Sequence, residues 1–393
     1  MSTIERALPP GGLLLGQRLR RLAPVGLVAA LLALAVGAQL AVFGGNLTGF
    51  VEFGSRSAQF TRAPVGALFT SSSGYDGQFF YMQATDPLLL HDSTIRLMAA
   101  GGAGFRMQRG AYPALASALA LGNRAALPFT LLAINIVILL SVAVGLAVFA
   151  RHRGWPARWT LAIALTPGLF LPVLRDLSDP MATAGVLAGL LCWQARHRWW
   201  AALCLLVAAL AREAMILAVM AIVFDVATQI WRQRDRRPRP WLATAAQAWP
   251  VVVLPTVALA AWRLYINARS GGSVGYAAGS VPLENLLQEL KWSFAAEPRL
   301  ALFDCVYVAL ILAAVVRLAQ LLRREVTLFG LAAALMSLSV LLPRLGDIWA
   351  DTRLSGAMFA LLVITGLQQR DRTALRIAGA AAVLTAPVVL LSL

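Results

Sequence analysis

The sequence predicts an all-α fold, a polytopic transmembrane helical bundle in which residues 1–393 form a single integral membrane domain. Two observations carry this expectation. Hydrophobic residues make up 59% of the chain and charged residues only 13%, and the mean hydropathy of +0.73 lies outside the range of soluble domains. Apolar runs of about 17 to 25 residues recur along the length, each enough to cross a hydrocarbon core of roughly 30 Å as helix. The formal net charge of +16 would point to nucleic acid in a soluble protein. Here the arginines fall in short loops between apolar runs and act as topology determinants, so no nucleic-acid partner is expected.

The first run, 24–45, is too long for a signal-peptide core and is followed by others, so it reads as a retained span. Arg6, Arg18, Arg20 and Arg21 precede it and place the N-terminus in the cytoplasm. The long loop 46–110 is then outside. Further spans read as 126–150, 158–174, 180–195, 199–211, 214–231, 241–262, 300–317, 326–343, 354–368 and 377–393, about eleven in all. Segment 106–122 is ambiguous between a span and a re-entrant or interfacial helix. The second reading keeps Arg151/Arg153, Arg196/Arg198, the Arg232–Arg239 cluster, Arg317/Arg323/Arg324 and Arg370/Arg372/Arg376 all inside, and is adopted. A second outer loop, 263–299, begins Gly/Ser-rich and ends with Leu283, Leu286, Leu287, Leu290 and Phe294 on one helical face. This is the pattern of an amphipathic helix on the outer leaflet or of a lid.

Most polar motifs have a plain reading. Cys192, Cys204 and Cys305 lie in apolar runs without paired spacing. His91, His152 and His197 are scattered and make no metal pattern. Gly101-Gly102-Ala103-Gly104 lacks the lysine and Ser/Thr of a phosphate loop, and Asn46-Leu47-Thr48 matches a glycosylation sequon.

Four places carry more. Gly74-Tyr75-Asp76-Gly77-Gln78-Phe79-Phe80-Tyr81 sets an acid, an amide and aromatics between glycines in the outer loop. Tyr-Asp-Gly is ordinary turn chemistry, but aromatics in a surface loop need a bilayer interface or a pocket to pack on. Arg106 and Arg109, ahead of Tyr112-Pro113, suit a lipid phosphate or simple interface anchoring. Arg212-Glu213 interrupts two apolar runs. It is either an intramembrane site whose adjacent members need separate partners, or a solvated turn. Arg175, Asp176 and Asp179-Pro180 form another outer cluster, in which Asp179 reads as a helix cap before Pro180 while Asp176 stays open. Arg344, Asp347, Asp351 and Arg353 bracket the last outer turn, as a phosphate holder or a self-paired group.

These residues resemble motifs of the polytopic GT-C glycosyltransferases, in particular bacterial membrane proteins linked to cell-surface glycan formation. The matching positions are Tyr75-Asp76-Gly77-Gln78-Phe79-Phe80-Tyr81, Arg106-Met107-Gln108-Arg109 with Tyr112-Pro113, and Arg212-Glu213. The chain departs from the pattern at Ala214 and in lacking a paired acid in the first loop. The resemblance implies a GT-C-like bundle in the bacterial inner (plasma) membrane, moving a sugar from a polyprenyl-phosphate carrier to a glycan or lipid acceptor hydroxyl at the outer face. Asp76 is then the expected catalytic base. Tyr75, Gln78 and Tyr81 shape the sugar site, and Arg106, Arg109, Arg212, Glu213 and Arg353 serve substrate and phosphate binding. No cofactor or metal is expected, since no motif for a divalent cation is clear. The rival readings are a lipid-linked glycan flippase or solute transporter, and a non-catalytic partner of a glycan assembly complex.

Overall fold

The computed structural model describes residues 11–70, 72–100, 104–233, 240–271, 290–291, 294–295, 298–341 and 348–392. Of these residues 82% are helical. A two-stranded parallel ribbon, β1 (Phe53–Gly54) and β2 (Phe69–Thr70), is the one sheet among these residues.

The helices are α1 (Gly11–Val42), α2 (Thr48–Val51), α3 (Asp76–Ala84), α4 (Asp92–Ala100), α5 (Ala111–Leu119), α6 (Leu127–His152), α7 (Trp159–Ala164) and α8 (Pro167–Phe170). They continue as α9 (Asp179–Gln194), α10 (Arg198–Ala211), α11 (Ile216–Gln233), α12 (Pro240–Ser270), α13 (Pro298–Arg324), α14 (Leu328–Leu341), α15 (Ile348–Gln368), α16 (Arg372–Val383) and α17 (Thr385–Ser392). Among the described residues six segments are long and apolar enough to cross a membrane: Ala23–Val42, Arg124–His152, Glu213–Arg232, Ala246–Ser270, Ala301–Arg324 and Arg372–Leu390.

The expected span 158–174 is not one helix. Pro167 and Pro172 lack the amide hydrogen a continuous helix requires, and the segment divides into α7, α8 and a 3₁₀ turn at Leu171–Arg175. Helices α9 and α10 hold 16 and 14 residues, so they are about 21–24 Å long and shorter than a typical hydrocarbon core. Segment 106–122 yields the end of a 3₁₀ turn at Gly104–Gln108 and the nine-residue α5, about 13 Å long and too short to cross. Its Tyr112, Pro113 and Ala116 are buried against α3, α6 and α10. The amphipathic segment at 283–289 lies outside the described residues.

The loop 46–110 is a small folded cap. Phe79, Met82, Leu89, Ile95, Met98, Met107 and Ile266 form its own apolar core, joined by Trp262 and Tyr265 of α12. Trp262 Nε1 donates to the Met107 carbonyl at 3.2 Å, and the Tyr265 hydroxyl donates to the Leu88 carbonyl at 2.8 Å. Arg269 reaches the Leu90 carbonyl and the Asp92 carboxylate. The cap is thereby pinned over one end of the bundle. The start of α3 lies against α2 and the 171–175 turn that leads towards α9.

Candidate functional site

Asp76 opens α3, held there by two glycines. Gly74 sits at φ +76, and a Cβ on it would lie 2.4 Å from the Gly54 nitrogen. A Cβ on Gly77 would lie 2.6 Å from the Val51 carbonyl oxygen and 2.7 Å from that of Arg175. The backbone of α3 therefore approaches α2 and the 171–175 turn at a distance that only glycine permits.

Around Asp76 the structure gathers arginines from distant parts of the chain. Arg106, in the 3₁₀ turn Gly104–Gln108, sets its Nε and Nη2 2.5 Å from Asp76 Oδ1. Arg353, in the first turns of α15, approaches Oδ2 at 3.0 Å, and Arg109 approaches it at 3.6 Å. Arg109 also forks onto Glu213, at 3.2 and 3.3 Å. Arg353 Nε donates to Asp179 Oδ2 at 3.1 Å, and Arg212 forms an ion pair with Asp179. All are withdrawn from solvent. Arg106 is the most open at 21% side-chain exposure, and Asp179 the least at 1%. Among the described residues four guanidinium groups thus meet three carboxylates.

Two aromatic residues complete the cluster. The Tyr75 hydroxyl accepts from Arg353 at 3.2 Å, and its ring centre lies 4.7 Å from the guanidinium of Arg175 and 5.4 Å from that of Arg353. Arg175 in turn pairs with Glu52 at 3.5 Å. Phe105 lies under both Arg106 and Arg109. Burial by itself would raise the Asp76 carboxyl, but Arg106, Arg353 and Arg109 overrule it and hold the group far below the usual carboxylate range.

The structure thus brings together Tyr75, Asp76, Arg106, Arg109, Arg212, Glu213 and Arg353. Arg212 and Glu213 take different partners, as their adjacency requires, and their burial rules out a solvated turn. Two expected members belong elsewhere. Tyr81 is a core residue, packed edge-on against Phe53 with its hydroxyl on the Arg124 carbonyl. Gln78 ties the loop together, donating to the Ser73 carbonyl at 2.9 Å and accepting from the Gly54 amide at 3.3 Å. Asp179 is not a cap: it is the first helical residue of α9, makes no capping bond, and serves as counter-ion to two arginines. Asp347 and Arg344 lie outside the described residues.

Asp176 adopts φ +48 with its side chain fully buried, and both its carboxyl oxygens lack a hydrogen-bond partner among the described residues. Burial pushes its carboxyl well above the ordinary value. The described residues contain no group of three or more His, Cys, Asp or Glu placed to hold a metal ion.

Together the fold and the cluster define a multi-pass helical membrane protein with a buried, arginine-rich polar centre at one end of the bundle. Comparison with known protein families, curated proteins and solved structures gives no match.

Proposed function

We propose that the chain is a membrane glycosyltransferase of GT-C type, acting at the outer face of a bacterial inner membrane on a polyprenyl-phosphate sugar donor. The observation that carries this reading is the convergence of Arg106, Arg109, Arg212 and Arg353, from distant parts of the chain, on Asp76, Asp179 and Glu213. Clustered, buried guanidinium groups match the negative charge that develops on a departing phosphate. Ionisable groups buried in a membrane protein are costly and mark function by default.

In the transfer, the acceptor hydroxyl oxygen attacks the anomeric carbon of the donor sugar. The bond from that carbon to the phosphate oxygen breaks, and its electron pair leaves on the phosphate. The hydroxyl proton passes to Asp76. With three guanidinium groups around it, Asp76 has little affinity for a proton. A donor phosphate that draws Arg106 and Arg353 onto itself removes that restraint, so the carboxylate becomes an effective base only when substrate is present. Phe105 and Tyr75 supply apolar and π faces for the sugar ring.

An apolar groove of about 760 Å³ between α1, α7 and the α16–α17 segment offers room for a hydrocarbon chain. It includes Phe170, directly before the turn that carries Arg175 over Tyr75. Asp76 and its arginines do not line it.

The test is transfer in detergent. Purified protein is expected to move sugar from a synthetic polyprenyl-phosphate donor to an acceptor without an ion gradient. Flux in sealed vesicles that collapses with the gradient, with no product formed, would establish the transporter reading instead.

A further inference from the structure

The opposite end of the bundle holds a second polar site. Helix α9 carries Asp179 at one end and Trp193 and Gln194 at the other. Arg198 opens α10 and Arg212 follows its end, while Arg353 and Gln368 stand near the two ends of α15. Each path is about 21–24 Å along a helix axis. At this far end lies an open cavity of about 930 Å³ with overwhelmingly polar walls.

Four arginines line it, Arg153, Arg196, Arg198 and Arg370, against only Asp225 and Glu325. Asp225 already accepts from Trp193 Nε1 and Gln229. Arg198 is held in place, stacked 3.8 Å over Trp193 and donating to its carbonyl at 2.6 Å. Arg153, Arg196 and Arg370 have no carboxylate partner among the described residues.

The backbone adds an independent observation. Three helices end at this cavity in the same manner, with the amide two residues past the cap bonded back into the last turn: Trp155 to Ala150, His197 to Cys192 and Asp371 to Gly366. This ending needs a left-handed residue, for which glycine is the default. α6 uses Gly154, at φ +69. α9 and α15 use Arg196 and Arg370, at φ +63 and +54. Both accept a strained backbone, and both bring a guanidinium group to the same cavity.

Exposed tryptophans surround this end. Trp199 and Trp200 follow Arg198, Trp231 follows Gln229 by two residues, and Trp249 follows Gln247 by two; they are between 49% and 65% exposed. Tryptophan in such positions marks the headgroup level of a bilayer.

We infer that this cavity is a binding site for a phosphate anion, supplied by the headgroup of an anionic membrane lipid. Arg153, Arg196 and Arg370 take the phosphate oxygens, while Gln194, Gln229 and Gln368 face the polar remainder of the headgroup. The site is separate from the Asp76 cluster and does not depend on the function proposed for it.

The variant Arg196→Gly with Arg370→Gly tests this cleanly, because glycine suits both backbone positions and the fold is not put at risk. Binding of short-chain phosphatidylglycerol, phosphatidylcholine and inorganic phosphate to the full chain in detergent is measured by titration calorimetry, with thermal melting as the folding control. The wild type is expected to prefer phosphatidylglycerol to phosphatidylcholine, and the variant to bind it about tenfold or more weakly at an unchanged or raised melting temperature. Binding of inorganic phosphate with the same sensitivity would support the site and assign it to free phosphate. Equal binding of the two lipids, or affinity unchanged in the variant, would overturn it.

Discussion

Neutralising Asp76 leaves Arg106, Arg109 and Arg353 facing one another with no central counter-charge. Breaking a buried ion pair in this way costs about 3–5 kcal/mol, so Asp76→Asn is expected to lower the melting temperature as well as activity. Activity therefore has to be read per folded molecule. A variant as stable as the wild type would contradict the geometry. The pH dependence has a definite sign. Because the folded-state pKa of Asp76 is depressed, its contribution is fully present above the ordinary carboxylate value of 3.8 and is lost as pH falls below it. Asp176 behaves in the opposite sense. Its raised pKa means that the cost of a buried carboxyl is absent in strong acid and grows as pH rises past the unfolded value. Asp176→Asn is expected to raise the melting temperature at pH 7 and to leave it nearly unchanged at pH 3. A lower melting temperature at pH 7 would show that the carboxylate is needed in its charged form.

At the level of elements, the close approach of α3 to α2 and the 171–175 turn fixes where Asp76 sits. Gly77→Ala places a methyl group against two carbonyl oxygens, and overpacking of this kind costs about 1–3 kcal/mol. A melting curve matching the wild type would show that the approach is looser than described. Much of this site was legible from residue types alone. An acid and aromatics between glycines, and an Arg-Glu pair between apolar runs, are conspicuous because a chain that merely crosses a bilayer has no use for them. The motif reads as an extended loop, whereas α3 begins at Asp76 and sets Tyr81 among core side chains. Five helical steps of about 100° turn Tyr81 well away from Asp76 and into the core. Asp179 was hidden for another reason: Asp before Pro carries a strong local signal for a helix start. Its partners Arg212 and Arg353 are 33 and 174 residues away, and no local pattern encodes such a contact. Helix content followed from hydropathy, but the break of 158–174 at its prolines marks where an apolar run and a continuous helix part company.

Across the whole molecule, α9, α10 and α15 connect two polar ends of unlike character. One is buried and ion-paired, and the other is open and lined by Arg153, Arg196 and Arg370, which have no carboxylate partner among the described residues. The proposed orientation puts the first outside the cell. A cysteine at Ser73, which is exposed beside the Asp76 cluster, is then expected to react with an impermeant thiol reagent in intact cells. One at His152, at the cavity end, is expected to react only after permeabilisation, and the reverse pattern would invert the topology. In the proposed function the arginines around Asp76 receive a lipid phosphate. Arg106 is the member to remove, since it is the most exposed of them and Arg109 and Arg353 still neutralise Asp76 without it. The most direct measurement is the affinity of purified wild type and Arg106→Gln for a synthetic polyprenyl phosphate carrying no sugar, taken in detergent at fixed ionic strength. Measurable binding by the wild type and a loss of about tenfold or more in the variant are expected; equal affinity in the two proteins, or no binding by either, would show that these arginines do not receive a lipid phosphate.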